Sequence, residues 1–252
     1  MSLVNDEEST RPQRPRAPNL RDPEGTARAI LEAATREFAE HGLGGARIDA
    51  IATRAGINKR MLYHYYGDKN ALYLAVLEAA YARIRAAEAE LKLDAMTPEA
   101  SLLRLAHFTF DYYLANPEFL SLLATENLHK ARHISGSERL RSMHALFLGD
   151  LGRVLARGAE TGVFRGGLDA LDIYVTIAAL GAFYLSNRHT LTAIFGRDLG
   201  EPHRVVAWRN HIGEVVLAFA RTDDARPLPV SSTTAPSPTL RQRRNPASPP
   251  KG

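Results

Sequence analysis

Residues Ile48 to Lys69 read IDAIATRAGINKRMLYHYYGDK, two short helical patterns separated by one glycine, and that spacing leaves few ways to fold. Ile48, Ile51, Ala52 and Ala55 recur at i, i+3, i+4 and i+7, the stripe of a short amphipathic helix. The small Ala52 and Ala55 allow a second helix to approach closely. Gly56, free to take a left-handed conformation, ends the first helix; Ile57 fills the angle, and Asn58 is placed to cap a second helix from Lys59 to about Tyr66. The pattern predicts a helix-turn-helix, whose second helix enters the DNA major groove while the first crosses the backbone. Leu62 and Tyr66 fall on the inward side of that helix, and Lys59, Arg60, Tyr63 and His64 offer donors over its outer faces. Lys59 to Gly67 contains no acidic residue.

The same segment, with PEGTARAILEAATREFAEHG (Pro23 to Gly42) before it and the DK-x-x-L of Asp68 to Leu72 after it, strongly resembles the DNA-binding domain of the TetR family of bacterial transcriptional regulators. The likeness is close from the first helix through Glu78 and looser to about Arg221. Ala46 and Arg47 depart from the Thr or Ser usual at the helix start, which removes a hydroxyl cap and offers a charged phosphate contact at Arg47 instead. Tyr66 stands where Phe is commoner, and Asn70 where Glu is commoner. The resemblance implies phosphate contacts from Tyr63, His64 and Lys69, with Arg47, Lys59 and Arg60 nearer base edges. Lys69 at a helix start also suits an anion on physical grounds. Arg60 is suited to bidentate pairing with guanine, and Met61 and Asn58 are within the same reach.

The formal charge of +4 is a weak argument for nucleic acid, because residues 1–21 contribute +1 and residues 222–252 contribute +3, leaving the middle formally neutral. The DNA case rests on local placement of Arg47, Arg54, Lys59, Arg60 and Lys69. There is no cysteine, hence no disulfide or thiolate metal site, which suits a reducing cytoplasm. MSLVNDEEST lacks the apolar stretch of a leader, and the longest uncharged run, 173–187, is short for a membrane span. A soluble, cytoplasmic protein is expected.

Proline and arginine in residues 1–21, and seven prolines among Ser and Thr in residues 222–252, predict disordered arms at both ends. Between them an all-α fold of about nine helices is expected, with a helix-turn-helix head over 22–67 and a helical effector-binding and dimerisation body over 68–221. Asp22 caps the first helix, which Gly42 stops. Asp68 caps a long helix to about Lys92 with Leu72, Val76, Ala79, Ala80 and Ile84 facing inward. Further helices are expected from Pro98 to about Asn116, Pro117 to Leu128, Glu138 to Thr161, Ala170 to about Ser186 and Pro202 to Arg221.

In the resembled family the last two helices build a homodimer, which implies a palindromic operator. Ile173, Ile177, Leu180, Gly181 and Tyr184 with Ile212, Val215, Val216 and Phe219 offer apolar faces for it, though an intramolecular core explains them equally well. Family members hold a small-molecule effector in the body, and polar groups on apolar stripes are the candidates to meet it: His107 beside Phe110, Asn127, Tyr184 and Asn187, with Glu126, His129 and Arg188 behind them. An internal hydrogen bond is the competing explanation for each. The runs NPEFLSLLATENLHKARH and FYLSNRHTLTAIFG are most similar to the branch whose regulators control pyrimidine and nicotinate breakdown. The resemblance thus implies a repressor released by a small molecule. An architectural DNA-binding protein without effector is the alternative. No enzyme motif is present, no cofactor is expected, and His129 with His133, flanked by Lys130 and Arg132, read as surface histidines and not as a metal site.

Overall fold

The computed structural model describes residues 22–222, which form nine α-helices, with no strand among the described residues beyond one isolated bridge between Phe164 and Arg221. The arms expected at 1–21 and 223–252 lie outside the described residues. The helices are α1 (Pro23–Gly45), α2 (Ile48–Ala55), α3 (Lys59–Tyr66), α4 (Lys69–Ala89), α5 (Pro98–Ala115), α6 (Pro117–Leu128), α7 (Glu138–Glu160), α8 (Ala170–Phe195) and α9 (Pro202–Ala220). A 3-10 turn, Leu93–Ala95, follows α4.

Local chemistry sets most of these boundaries. Asp22, Asn58, Asp68, Thr97, Ser137 and Asp169 each accept a backbone N–H of the first turn that would otherwise lack a partner. Gly42 breaks α1 with φ 64° and ψ 176°, and a further short turn of helix continues to Gly45. Two expected ends shift. α4 stops at Ala89, before Lys92 adopts a left-handed φ of 52°. α8 runs nine residues past Ser186, because no helix breaker occurs until Gly196, whose φ is 63°. At 26 residues it is the one helix among those described with the length and composition to cross a bilayer, yet it packs through Ile173, Ile177 and Gly181 into the bundle.

α4 is the central rod. Its stripe of Leu72, Val76, Ala80 and Ile84 is buried, and Tyr73 closes the joint between α1 and α6. The Tyr73 ring meets Phe38 edge-on at 5.1 Å, and its hydroxyl donates to Leu122 O at 3.4 Å. Beside this joint the buried Glu126 carboxylate accepts from the backbone N–H of His133 at 2.8 Å and of Ile134 at 3.2 Å, and meets His133 Nδ1 at 2.8 Å. His133 is thus a buried partner, its side chain 7% exposed, and not the surface histidine expected. α6 ends at Leu128, so His129 and His133 do not share a helix face; the turn between them carries Lys130 and Ala131 at φ 57°.

The apolar faces expected to form a dimer also divide differently. Ile173, Ile177, Tyr184, Ile212 and Val216 are buried within the chain, and Gly181 packs against Tyr113. Phe219 of the expected set is exposed, as are Leu171, Val175 and Phe183 on α8 and Val206 on α9.

Candidate nucleic-acid interface

α2 and α3 are held at their turn by Gly56, left-handed at φ 68°, while Ile51, Ala52, Ala55 and Leu62 are buried beneath them. The Tyr66 hydroxyl reaches Ala27 O of α1 at 3.1 Å, so replacing the commoner Phe gives the ring's polar end a partner. The start of α2 carries no side-chain cap at Arg47; in its place the Arg47 backbone N–H donates to Glu37 Oε1 of α1 at 2.9 Å. Glu37 is 2% exposed and was not singled out by sequence. An acidic residue amid the Ile30, Ala34 and Phe38 face of the first helix is the signal that marks it.

The expected DNA-contact residues lie on the head in distinct states. Arg47, Asn58, Lys59, Arg60, Tyr63 and His64 are exposed, and Lys69 is partly so, at the first turn of α4. Asn58 Oδ1 is occupied as the cap of α3, accepting from Met61 N at 2.9 Å. Lys59 Nζ lies 3.1 Å from Asp49 Oδ1 on α2, so the acid-free face of α3 receives its counter-charge from the preceding helix. Arg54 is likewise drawn to Glu40 at 3.6 Å and, more weakly, to Glu37 at 3.9 Å. Arg60 makes no ion pair among the described residues. This leaves one unengaged guanidinium on the outer face of the second helix, able to offer its fork of donors to a base edge or a phosphate.

Comparisons with known proteins decide the family. The model "Bacterial regulatory proteins, tetR family" matches residues 30–76, and "Tetracyclin repressor-like, C-terminal domain" matches residues 98–216. The HTH-type transcriptional repressor NicS of Pseudomonas putida is 40% identical over 192 residues, covering 76% of this chain and 91% of NicS. The chain belongs to the TetR family of transcriptional regulators. The HTH-type transcriptional repressor SCO4008 of Streptomyces coelicolor is 36% identical over 163 residues, 64% of this chain and 78% of its own. Among solved structures, the transcriptional regulator SCO4942 from S. coelicolor superposes with a TM-score of 0.58 at 25% identity, over 77% of this chain and 98% of that one. As a TetR protein the chain is a DNA-binding transcriptional regulator.

Of the five effector candidates, Phe110 and Tyr184 meet, and the others make separate contacts. His107 lies on α5 against Gly213 of α9, its Nε2 buried and unpaired, and burial, aided by nearby Arg209, lowers its pKa. Phe110 is core, edge-on to Tyr184. The Tyr184 hydroxyl donates to Leu199 O at 2.8 Å and its ring stacks on Trp208 at 4.8 Å. Asn127 and Asn187 spend their amides on the carbonyls one turn back, Leu123 and Phe183. For these last three the internal hydrogen bond is the one observed. Arg188 lines a 350 Å³ groove with Tyr113 and Leu185.

A different pair in the body is unsatisfied. Arg85 and Glu88 of α4 are 8% and 4% exposed, and Arg85 Nε lies 2.9 Å from Glu88 Oε2. That contact lacks hydrogen-bond geometry, so Arg85 Nε and Nη1 and both Glu88 oxygens remain buried without a directed partner. The guanidinium sits 4.0 Å from the Phe147 ring centroid, and its Nη2 donates to the Tyr174 hydroxyl at 3.4 Å. Burial, against the pull of Arg85, pushes the Glu88 carboxyl up to about 7. The signal was present in sequence: Leu72, Val76, Ala80 and Ile84 step by four, and the next step is a carboxylate.

Proposed function

We propose that this chain is a cytoplasmic, homodimeric repressor that binds a palindromic operator and is released from it by a small-molecule effector. Residues 22–67 act as the DNA head and residues 68–221 as the effector and dimer body. The observation that carries the DNA contact is the outer face of α3, where Arg60, Tyr63 and His64 stand exposed after a left-handed glycine turn. Arg60 reads a base edge, Tyr63, His64 and Lys69 hold phosphates, and Arg47 flanks them; Lys59 joins once DNA draws it from Asp49. Repression is supported by the names of NicS and SCO4008, both repressors. The dimer is supported by Leu171, Val175, Phe183 and Phe219, large apolar side chains of α8 and α9 that the chain itself leaves exposed. A two-fold pair of heads about one DNA turn apart calls for a palindrome.

Selection of bound sequences from a random duplex pool, followed by titration of the winner at several salt concentrations, tests this reading. A palindrome is expected. Lys69→Ala should weaken binding to all sequences and lower the salt slope by about two units, one for each head, whereas Arg60→Ala should lose discrimination at one base pair in each half-site. No enrichment, with weak binding that only salt controls, would replace the repressor by an architectural DNA-binding protein.

A further inference from the structure

Beside the unsatisfied Arg85–Glu88 pair opens a cleft of 680 Å³ between α4, the 3-10 turn and α7, a size that suits a small ligand. Ala82, Ala86 and Ala89 present a flat, small-residue wall, and Leu146 and Phe147 face it. None of the effector candidates picked out by sequence lines this space. We propose that this cleft is the effector site and that it takes a small aromatic carboxylate, the carboxylate on Arg85 and the ring between the alanine wall and Phe147; the assignment rests on the reading of the chain as a ligand-released repressor.

Three observations lead there. A buried guanidinium whose Nε and Nη1 lack directed acceptors is costly as it stands, and a planar anion supplies acceptors in the geometry that guanidinium prefers. Its present counter-ion is held without a directed hydrogen bond, so an incoming carboxylate displaces a poorly made contact and not a good one. Displacement is also less costly for Glu88, because burial leaves its carboxyl about half protonated at pH 7, and the neutral acid can donate to the ligand. An aromatic body fits the apolar part of the lining, the alanine wall with Leu93, Met143, Leu146 and Phe147, and Phe147 already lies against the guanidinium. Of the other charges on the lining, Asp94 and Asp150 lie 3.6 and 2.6 Å from Arg153 and Lys92 is itself cationic, so the charge left without a directed partner is that of Arg85, which a cationic ligand opposes and a neutral one leaves unanswered.

The test uses the full chain and sodium benzoate as probe, with benzamide as its neutral counterpart, read by calorimetry without DNA and then by operator titration. Benzoate is expected to bind at least tenfold more tightly than benzamide, to lose at least tenfold in Arg85→Met, and to weaken operator binding by the wild-type chain. Leu146→Trp is a second variant; Leu146 is 73% exposed at the cleft, so tryptophan can fill the space without disturbing the buried pair. It should block benzoate while retaining operator affinity. Equal binding of benzamide, undiminished benzoate binding in both variants, no benzoate binding at millimolar concentration, or binding that leaves operator affinity unchanged would each overturn the proposal. Because the first measurement contains no DNA, failure of the repressor reading registers separately, as an absence of operator binding by the ligand-free chain.

Discussion

Glu37 illustrates how one buried side chain positions a recognition surface without touching it. Its carboxylate accepts the N–H of the N-cap residue Arg47, the donor that the Glu or Gln of a capping box takes from within its own helix, but does so from a neighbouring helix ten residues earlier in the chain. Glu37→Ala should therefore cost about 1–2 kcal/mol, the usual scale of a lost cap. It should also loosen the entry to α2, so that operator affinity falls while the preferred sequence stays the same. Thermal unfolding and operator titration of the variant check both; a shifted base preference would mean that Glu37 acts on α3 and not on α2. The outward donors of α3 were legible in sequence because helical spacing and the absence of acid among them define a face. The engagement of Lys59 by Asp49, and of Asn58 by its own helix, was not: these depend on how two helices cross, which a one-dimensional pattern does not contain.

Among the elements, α4 carries both ends of the functional reading. The nine helices and most of their caps followed from periodicity and from Asp, Asn, Thr, Pro and Gly at the boundaries. The failures were at ends where a helix stops without a breaker or continues without one, as α4 at Ala89 and α8 to Phe195 do. The effector residues chosen from sequence take on detail in the fold: Tyr184, Asn127 and Asn187 bond to backbone carbonyls, an outcome invisible to a stripe analysis, and besides the unpaired His107 Nε2 the structure adds an unsatisfied pair, Arg85 and Glu88, the latter one step beyond the α4 stripe. Because the folded carboxyl of Glu88 is raised from 4.5 to about 7, its contribution to stability is fully present below about pH 4.5 and is lost as pH rises through about 7. Glu88→Gln removes this titration. Moving from pH 5 to pH 8, the variant should gain stability relative to wild type, by at most about 3 kcal/mol. Unfolding curves at the two pH values measure the difference; the lowered pKa values of His107 and His144 run the opposite way in both proteins and cancel. A pH-independent difference would show that Glu88 keeps its charge throughout.

For the whole molecule, the division of apolar residues between core and surface is the informative feature. Of the residues chosen from sequence as dimer-facing, Ile173, Ile177, Tyr184, Ile212 and Val216 are the chain's own core while Phe219 is exposed, and Leu171, Val175 and Phe183 join it in the exposed set. A helix apolar on several sides does not reveal which side meets which neighbour, and this is why the sequence left core and interface equally open. Phe183→Glu places a charge on a residue 60% exposed in the single chain, so the protomer should remain folded. In the proposed dimer the same charge would be buried, and the variant should sediment as a monomer, bind the operator at least a hundredfold more weakly and show about half the salt slope, since one head meets half the phosphates. An unchanged sedimentation coefficient would move the interface elsewhere.

The continuity of α4 from Lys69 to Ala89 has a mechanical meaning. Sixteen residues separate Lys69 at the head from Arg85 at the cleft, about 24 Å of unbroken helix. A lever of that length turns a tilt of about 5° near Arg85 into a displacement of about 2 Å at the DNA, comparable with a hydrogen bond's whole length. In the proposed repressor, a small ligand that reseats one guanidinium would thereby carry a reading head out of register with its groove.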